Sequence, residues 1–410
     1  MTRTDSPATP ERYAPFSALA LGLPYGVATG YSTTTLVYLL SHNGATVQDV
    51  ANLAALAILP NTWKVLWAPL MDVTLSARLW FGLSIAVTAT AYAGCAFTPA
   101  NAAHLNAFDW LVLILNIAVS VSYITAARII AYITPQHRQG AVGGWLNAGN
   151  VGGMGLGGGL GLLIATHVAN HPWASAGALG LLTLACGAPL AWLPMPKRDS
   201  GAGSLRGAIL DLAREAWSLL GTRAGLLALF LSLMPLGSGA LGNLWSSISD
   251  DWHAGPDTVA LVNGILGSLL SIPGCLAGGW VCDRMDRKKA YILAGLMMSA
   301  CALAMFALPR TETMFILWTS AYGVTVGFSY VAFTAYVLEV IGRGAAAMKY
   351  TMLAAVSNVP ILVATQIDGQ AHAPWGSGGM LLTDAALGVA GAALYLAVAW
   401  LATRRRPALA

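Results

Sequence analysis

Apolar stretches close to twenty residues long recur along the whole chain, separated by short polar connections. A helix needs about twenty residues to cross a bilayer core, whereas a barrel strand needs only about ten. Twelve stretches are legible, at 14–40, 48–70, 78–98, 108–132, 138–166, 173–194, 223–249, 257–282, 289–308, 312–338, 345–367 and 379–403. Each is expected to be a helix, because lipid offers backbone groups no partners and a helix satisfies them internally. One connection is long: residues 195–222 form a polar, partly amphipathic linker after the sixth span. It divides the chain into six-helix units at 1–194 and 223–410. The pattern predicts an all-α membrane protein, twelve transmembrane helices in two pseudo-symmetric bundles.

Composition supports lipid as the solvent. Of the 410 residues, 57% are hydrophobic and 9% charged, against about 25% charged in soluble domains. The 45 glycines suit close helix packing in a membrane. With the N-terminus placed in the cytoplasm, seventeen of the 21 Lys and Arg residues fall in cytoplasmic tails and loops and only Arg310 on the outer side. That asymmetry predicts cytoplasmic termini in a bacterial inner membrane. The first dozen residues are polar, so no removable signal peptide is expected. Cys95, Cys186, Cys275, Cys282 and Cys301 lie in apolar segments without CxxC spacing, which argues against disulfides and metal. The net charge of +4 is dispersed among loops and predicts no nucleic-acid partner.

The halves echo each other. GLPYG at 22–26 recurs as LMPLG at 233–237, Asp72 matches Asp283 at the same offset of 211, and Asn150 matches Asn358 at 208. A duplicated six-helix unit produces such shared offsets.

The loop after span eight reads GGWVCDRMDRKK, residues 278–289. It resembles the major facilitator loop signature: Gly279, Asp283, Arg284, Arg287 and Lys288 fit, and Asp286 stands where that family often has glycine. An Asp–Arg cluster at a helix C-terminus is favourably placed, and the resemblance implies a lock between bundles that releases as they rock. Plain interfacial anchoring is the alternative. Asp72 and Arg78, in APLMDVTLSAR (68–78), form a degenerate first-half copy. GLPYGVATGYSTTTLVYLL (22–40), WKVLWAPLMD (63–72) and AAAMKYTMLAAVSN (345–358) further resemble AmpG-like muropeptide permeases, whose relatives include acetyl-CoA transporters and siderophore permeases. Many of those are longer, with extra helices. The resemblance implies the major facilitator fold and a permease without cofactor, sufficient as a monomer.

Ionisable groups at membrane depth are costly, so each is a functional candidate. Lys64 lies eight residues before Asp72, about 12 Å into the bilayer. Flanked by Trp63 and Trp67, it suits an anionic group with a ring stacked beside it; a structural ion pair or snorkelling is the alternative. The related permeases have a lysine in the matching segment. Arg128, in span four, suits a carboxylate or phosphate through paired donors, or an inter-helix salt bridge. Glu339, near the end of span ten, is the candidate for proton coupling, with a surface pair to Arg343 as the plainer alternative. Asp109, Asp368 and Asp384 fall near outer helix ends, where solvation is expected. By analogy with the fold, Tyr25, Tyr31, Asn147, Asn150, Asn243, Trp245, Tyr322, Tyr330 and Asn358 are candidates to line a polar cavity.

The glycine run GAVGGWLNAGNVGGMGLGGGLG (140–161) predicts helix packing; without an adjacent GK[ST] it is no phosphate loop. The expectation is a secondary transporter importing a polar, anionic or zwitterionic solute, driven by protons and working by alternating access. The alternatives are an exporter or flippase of a drug or lipid, and a membrane-embedded enzyme or sensor, for which no catalytic cluster is evident.

Overall fold

The structure is a computed structural model, and it describes residues 14–67, 70–71, 74–133, 139–168, 173–194, 205–341 and 346–404. Among them there is no strand. The helices are α1 (14–42), α2 (47–67), α3 (Ala77–Phe97), α4 (Leu105–Ile133), α5 (139–167), α6 (Trp173–Ala185), a connecting α7 (Leu205–Leu220), α8 (Arg223–Leu233), α9 (256–282), α10 (Arg287–Ala307), α11 (Glu312–Ile341), α12 (346–375) and α13 (377–404). Eight described helices are long and apolar enough to cross a membrane by length and composition alone, the last of them covering both α12 and α13. Twelve crossings bring both chain ends to one face, here the terminal face; the other is the distal face.

Local sequence explains the helix starts. Thr46 and Asp49 form a capping box on α2, with Asp49 N donating to Thr46 Oγ1 at 3.1 Å. Ser76 caps α3, Thr222 caps α8, and Asp286 caps α10 by accepting from Lys289 N at 3.0 Å. The residue at the position where the loop signature often has glycine is therefore a helix cap.

Glycines set the packing. Gly22, Gly26 and Gly30 of α1 interlock with Gly149, Gly153 and Gly157 of α5. A Cβ at Gly26 would stand 1.8 Å from the Asn150 carbonyl oxygen, and one at Gly153 2.5 Å from that of Leu23. Gly149, Gly153 and Gly157 of the glycine run thus pack as predicted. Gly274, Gly278 and Gly327 join α9 to α11 in the same way. The first six helices meet the last six where α2 packs along α12 and α5 along α9. Three wide π turns, Tyr31–Thr35, Leu156–Leu160 and Ala260–Leu266, pack against one another there.

Two spans depart from expectation. The seventh, predicted as one helix over 223–249, stops at Leu233 and continues as short 3-10 turns to Trp252. Pro235 forces Met234 into an extended conformation (ψ 140°), and Gly237 and Gly239 follow at φ 66° and 73°. The eleventh, predicted to end at 367, runs on to a tight turn at Gly376, whose φ of 63° and ψ of −166° only glycine adopts without strain. That extension moves Asp368 from a helix end to the helix interior.

Candidate functional site

Tyrosines and asparagines converge where α1, α2, α4, α5 and α11 meet. Tyr25 Oη donates to Asn61 Oδ1 at 2.9 Å. The Tyr25 and Tyr123 rings lie 4.8 Å apart, and Tyr123 Oη donates to Asn147 Oδ1 at 2.9 Å. Tyr330 of α11 approaches Tyr25 from the other half, yet 67% of its surface stays exposed. Asn147 is exposed as well, and Asn150 Oδ1 is buried without a donor. Tyr25 and Tyr330 each stand eleven residues from the terminal-face ends of their helices, about 16 Å deep.

Lys64 follows Asn61 by three residues, where α2 tightens into a 3-10 turn over Lys64–Leu66. Asn61 belongs to the preceding α-helical turn, and residues three apart are neighbours on a helix surface, so Lys64 lies about one turn from Asn61, nearer the terminal face. It is half-buried and pairs with no carboxylate among the described residues. Trp63 is 39% exposed beside it, and Trp67 Nε1 is buried without an acceptor. Arg128 is half-buried on α4; five residues from Tyr123, it stands about 140° round the helix.

Other candidates fall elsewhere. Tyr31 is buried in the first-half core, edge-on to Tyr92 at 5.3 Å. Trp245 and Tyr322 pack edge to face at 5.4 Å in the second-half core. Asn243 donates to Thr365 Oγ1 at 3.1 Å, and Asn358 turns back on its own helix to the Ala354 carbonyl at 2.7 Å. Glu339, expected to need a low-dielectric site for proton coupling, is exposed and pairs with Arg287 at 3.5 Å.

The loop cluster also differs from a lock between bundles. Arg287 binds α11 through Glu339 and the Ala335 carbonyl, within the second half. Arg284 stacks over Trp280, 4.1 Å from the ring centre, and donates to its carbonyl. Asp283 is exposed and in no ion pair among the described residues, Lys288 and Gly279 are half-buried, and Arg78 donates to the Leu193 carbonyl at 3.3 Å. Asp72 lies outside the described residues. Among the described residues, ion pairs between the halves lie on the distal face: His42 with Asp250 at 3.0 Å and His167 with Asp257 at 3.5 Å.

Sequence reasoning missed Tyr123 and Asn61. Asn61 shares a helical face with Lys64, which was a usable signal. It also set Asp368 and Asp384 among solvated ends, whereas both are buried. A groove of about 810 Å³ between α10 and α13, lined by Phe306, Arg310, Trp375 and Leu382 among others, lies toward the distal face, away from the tyrosine cluster. No group of three metal-binding side chains occurs among the described residues.

A sequence profile of the Major Facilitator Superfamily matches residues 18–365. The chain belongs to that superfamily. It is a multi-pass membrane transporter. Solved structures agree in fold. The nucleoside transporter NupG superposes with TM-score 0.70 at 12% identity, over 94% of this chain and 98% of that one. The xylose transporter XylE from E. coli, in a partially occluded inward-open conformation, gives 0.67 at 14%, over 94% and 99%. A POT family transporter in complex with a thioalcohol-conjugated peptide gives 0.71 at 9%, over 97% of each. No curated protein sequence matches the chain.

Proposed function

We propose that the protein is a proton-driven importer of a polar solute carrying an anionic group, bound between Lys64 and the Tyr25–Tyr123–Tyr330 cluster. One observation carries this reading: Lys64 is half-buried, pairs with no carboxylate among the described residues, and sits one turn from the Asn61–Tyr25 hydrogen bond. A cation at that depth with no counter-ion among those residues favours a cargo that brings one. The tyrosines offer flat faces for a ring, and Asn147 and Asn150 offer amides for hydroxyl or amide groups.

The terminal face is taken as cytoplasmic, from the distribution of Lys and Arg. The distal face, where the halves touch through His42–Asp250 and His167–Asp257, is then the outer one. The cargo reading follows the resemblance to muropeptide permeases and their relatives: a sugar–peptide fragment first, a siderophore or acyl nucleotide behind it. The solutes named for the structural neighbours, a nucleoside, xylose and a peptide conjugate, are polar too. Proton drive follows the neighbour described as a D-xylose–proton symporter. The test is quenching of Trp63 and Trp67 fluorescence by an anhydromuropeptide, against its neutral sugar alone. Quenching by the anionic compound that Lys64→Ala removes supports the reading; equal response to both compounds contradicts it.

A further inference from the structure

Asp368 of α12 and Asp384 of α13 stand eight residues before and eight after Gly376, each about 12 Å inside the turn. Asp368 is fully buried and Asp384 is 7% exposed. Their carboxyls adjoin each other, and neither forms an ion pair among the described residues. Both oxygens of Asp368 lack a conventional donor. A carboxylate accepts hydrogen bonds and cannot donate them, so two carboxyls in contact require a proton on one of them.

Among the described residues, no cation pairs with either carboxyl in its place. From α11 the buried Tyr322 faces both carboxyls, and from α10 Cys301 faces Tyr322. Ser238 and Ser299 border Asp384. One turn beyond Asp368, His372 is turned toward Asp251, which pairs with Arg310 at 3.6 Å. From α2, Gln48 lies against Gly369, its Oε1 buried without a donor. Asp384 also opens on a cavity of about 10 Å³ beside Pro235, Gly237 and Ser238, room for about one water.

We propose that the Asp368–Asp384 pair is the proton-binding site of this transporter, holding one proton between the carboxyls and exchanging it through the water-sized cavity beside Asp384. The coupling part rests on the proton-driven reading above. Loss of the proton to the cavity water leaves two adjacent buried carboxylates, which repel. The strain falls on α12 at Gly369, where a Cβ would stand 2.4 Å from Ala51 of α2. Proton occupancy is thereby set against the interface between the halves.

The test uses the full chain in detergent and in vesicles. Infrared pH-difference spectra are recorded for wild type, Asp368→Asn and Asp384→Asn, each checked for monodispersity. A protonated-carboxyl band in wild type that each single substitution shifts or removes supports the site. A band untouched by either, or one removed by sodium at constant pH, overturns it. In proteoliposomes, with the solute wild type accumulates, both variants are expected to keep exchange and lose gradient-driven accumulation. Accumulation retained by both overturns the coupling role. If wild-type accumulation ignores the proton gradient while the infrared result holds, the proton-driven reading fails and the proton site stands.

Discussion

His42 Nε2 lies 3.0 Å from the Asp250 carboxylate, joining the distal end of α1 to the 3-10 turns after α8. The imidazole stacks on Tyr38 at 3.9 Å, while Asp250 is 75% exposed. Exposed pairs contribute about 0.2–1 kcal/mol. His42→Ala is therefore expected to shift the balance between the open and closed distal face by less than about fivefold. Labelling of a cysteine introduced near residue 246 checks this; a switch to a fully open distal face would mean the pair is the main latch.

Backbone packing should hold that face more firmly. Gly264 of α9 approaches Gly159 of α5 so closely that a Cβ would stand 2.4 Å from the Gly159 backbone. Overpacking such a contact costs about 1–3 kcal/mol. Gly264→Leu is predicted to keep the distal face from closing, with more labelling than His42→Ala gives and transport lost while folding is retained. Unchanged labelling would show that closure does not need this contact.

Tyr123 carries the hydrogen bond that orients Asn147. Tyr123→Phe keeps the ring against Tyr25 and removes that donor, at about 0.5–1.5 kcal/mol. Affinity for the transported solute should fall by up to about tenfold, and Tyr123→Ala should cost more through the lost ring. Equal effects from the two would place binding in the ring alone.

Glu339 is exposed and paired with Arg287. Glu339→Gln should leave gradient-driven accumulation intact and lower thermal stability by no more than about 1 kcal/mol. Loss of coupling in this variant, with exchange preserved, would return the coupling role to Glu339.

The helices were legible because lipid enforces length and polarity on every crossing, and the predicted spans lie within a few residues of those observed for most of the chain. The glycine stripes of α1 and α5 were legible too, since four-residue spacing leaves one helical face bare. Span seven was not, because apolar composition does not distinguish a helix from 3-10 turns once Pro235, Gly237 and Gly239 intervene. The site was half legible. Lys64 stood out by its depth, and Tyr25, Asn147 and Tyr330, singled out by analogy with the fold, lie in or beside the tyrosine cluster. Tyr31, Trp245 and Tyr322 met the same criteria and fell into cores, because a polar residue in an apolar helix does not say which face is wet. Asp368 and Asp384 were misplaced because the Gly376 turn lies further along the chain than the fall in hydrophobicity suggests.

The most direct test of a basic, proton-driven site is uptake into proteoliposomes by wild type, Lys64→Arg and Lys64→Ala. An anhydromuropeptide, a ferric siderophore and an acyl-CoA would each be supplied with and without an inward proton gradient. Gradient-dependent uptake of one anionic solute, reduced in Lys64→Arg and abolished in Lys64→Ala, is the expected result. Full uptake by Lys64→Ala, or uptake of none of the three by wild type, would contradict the account.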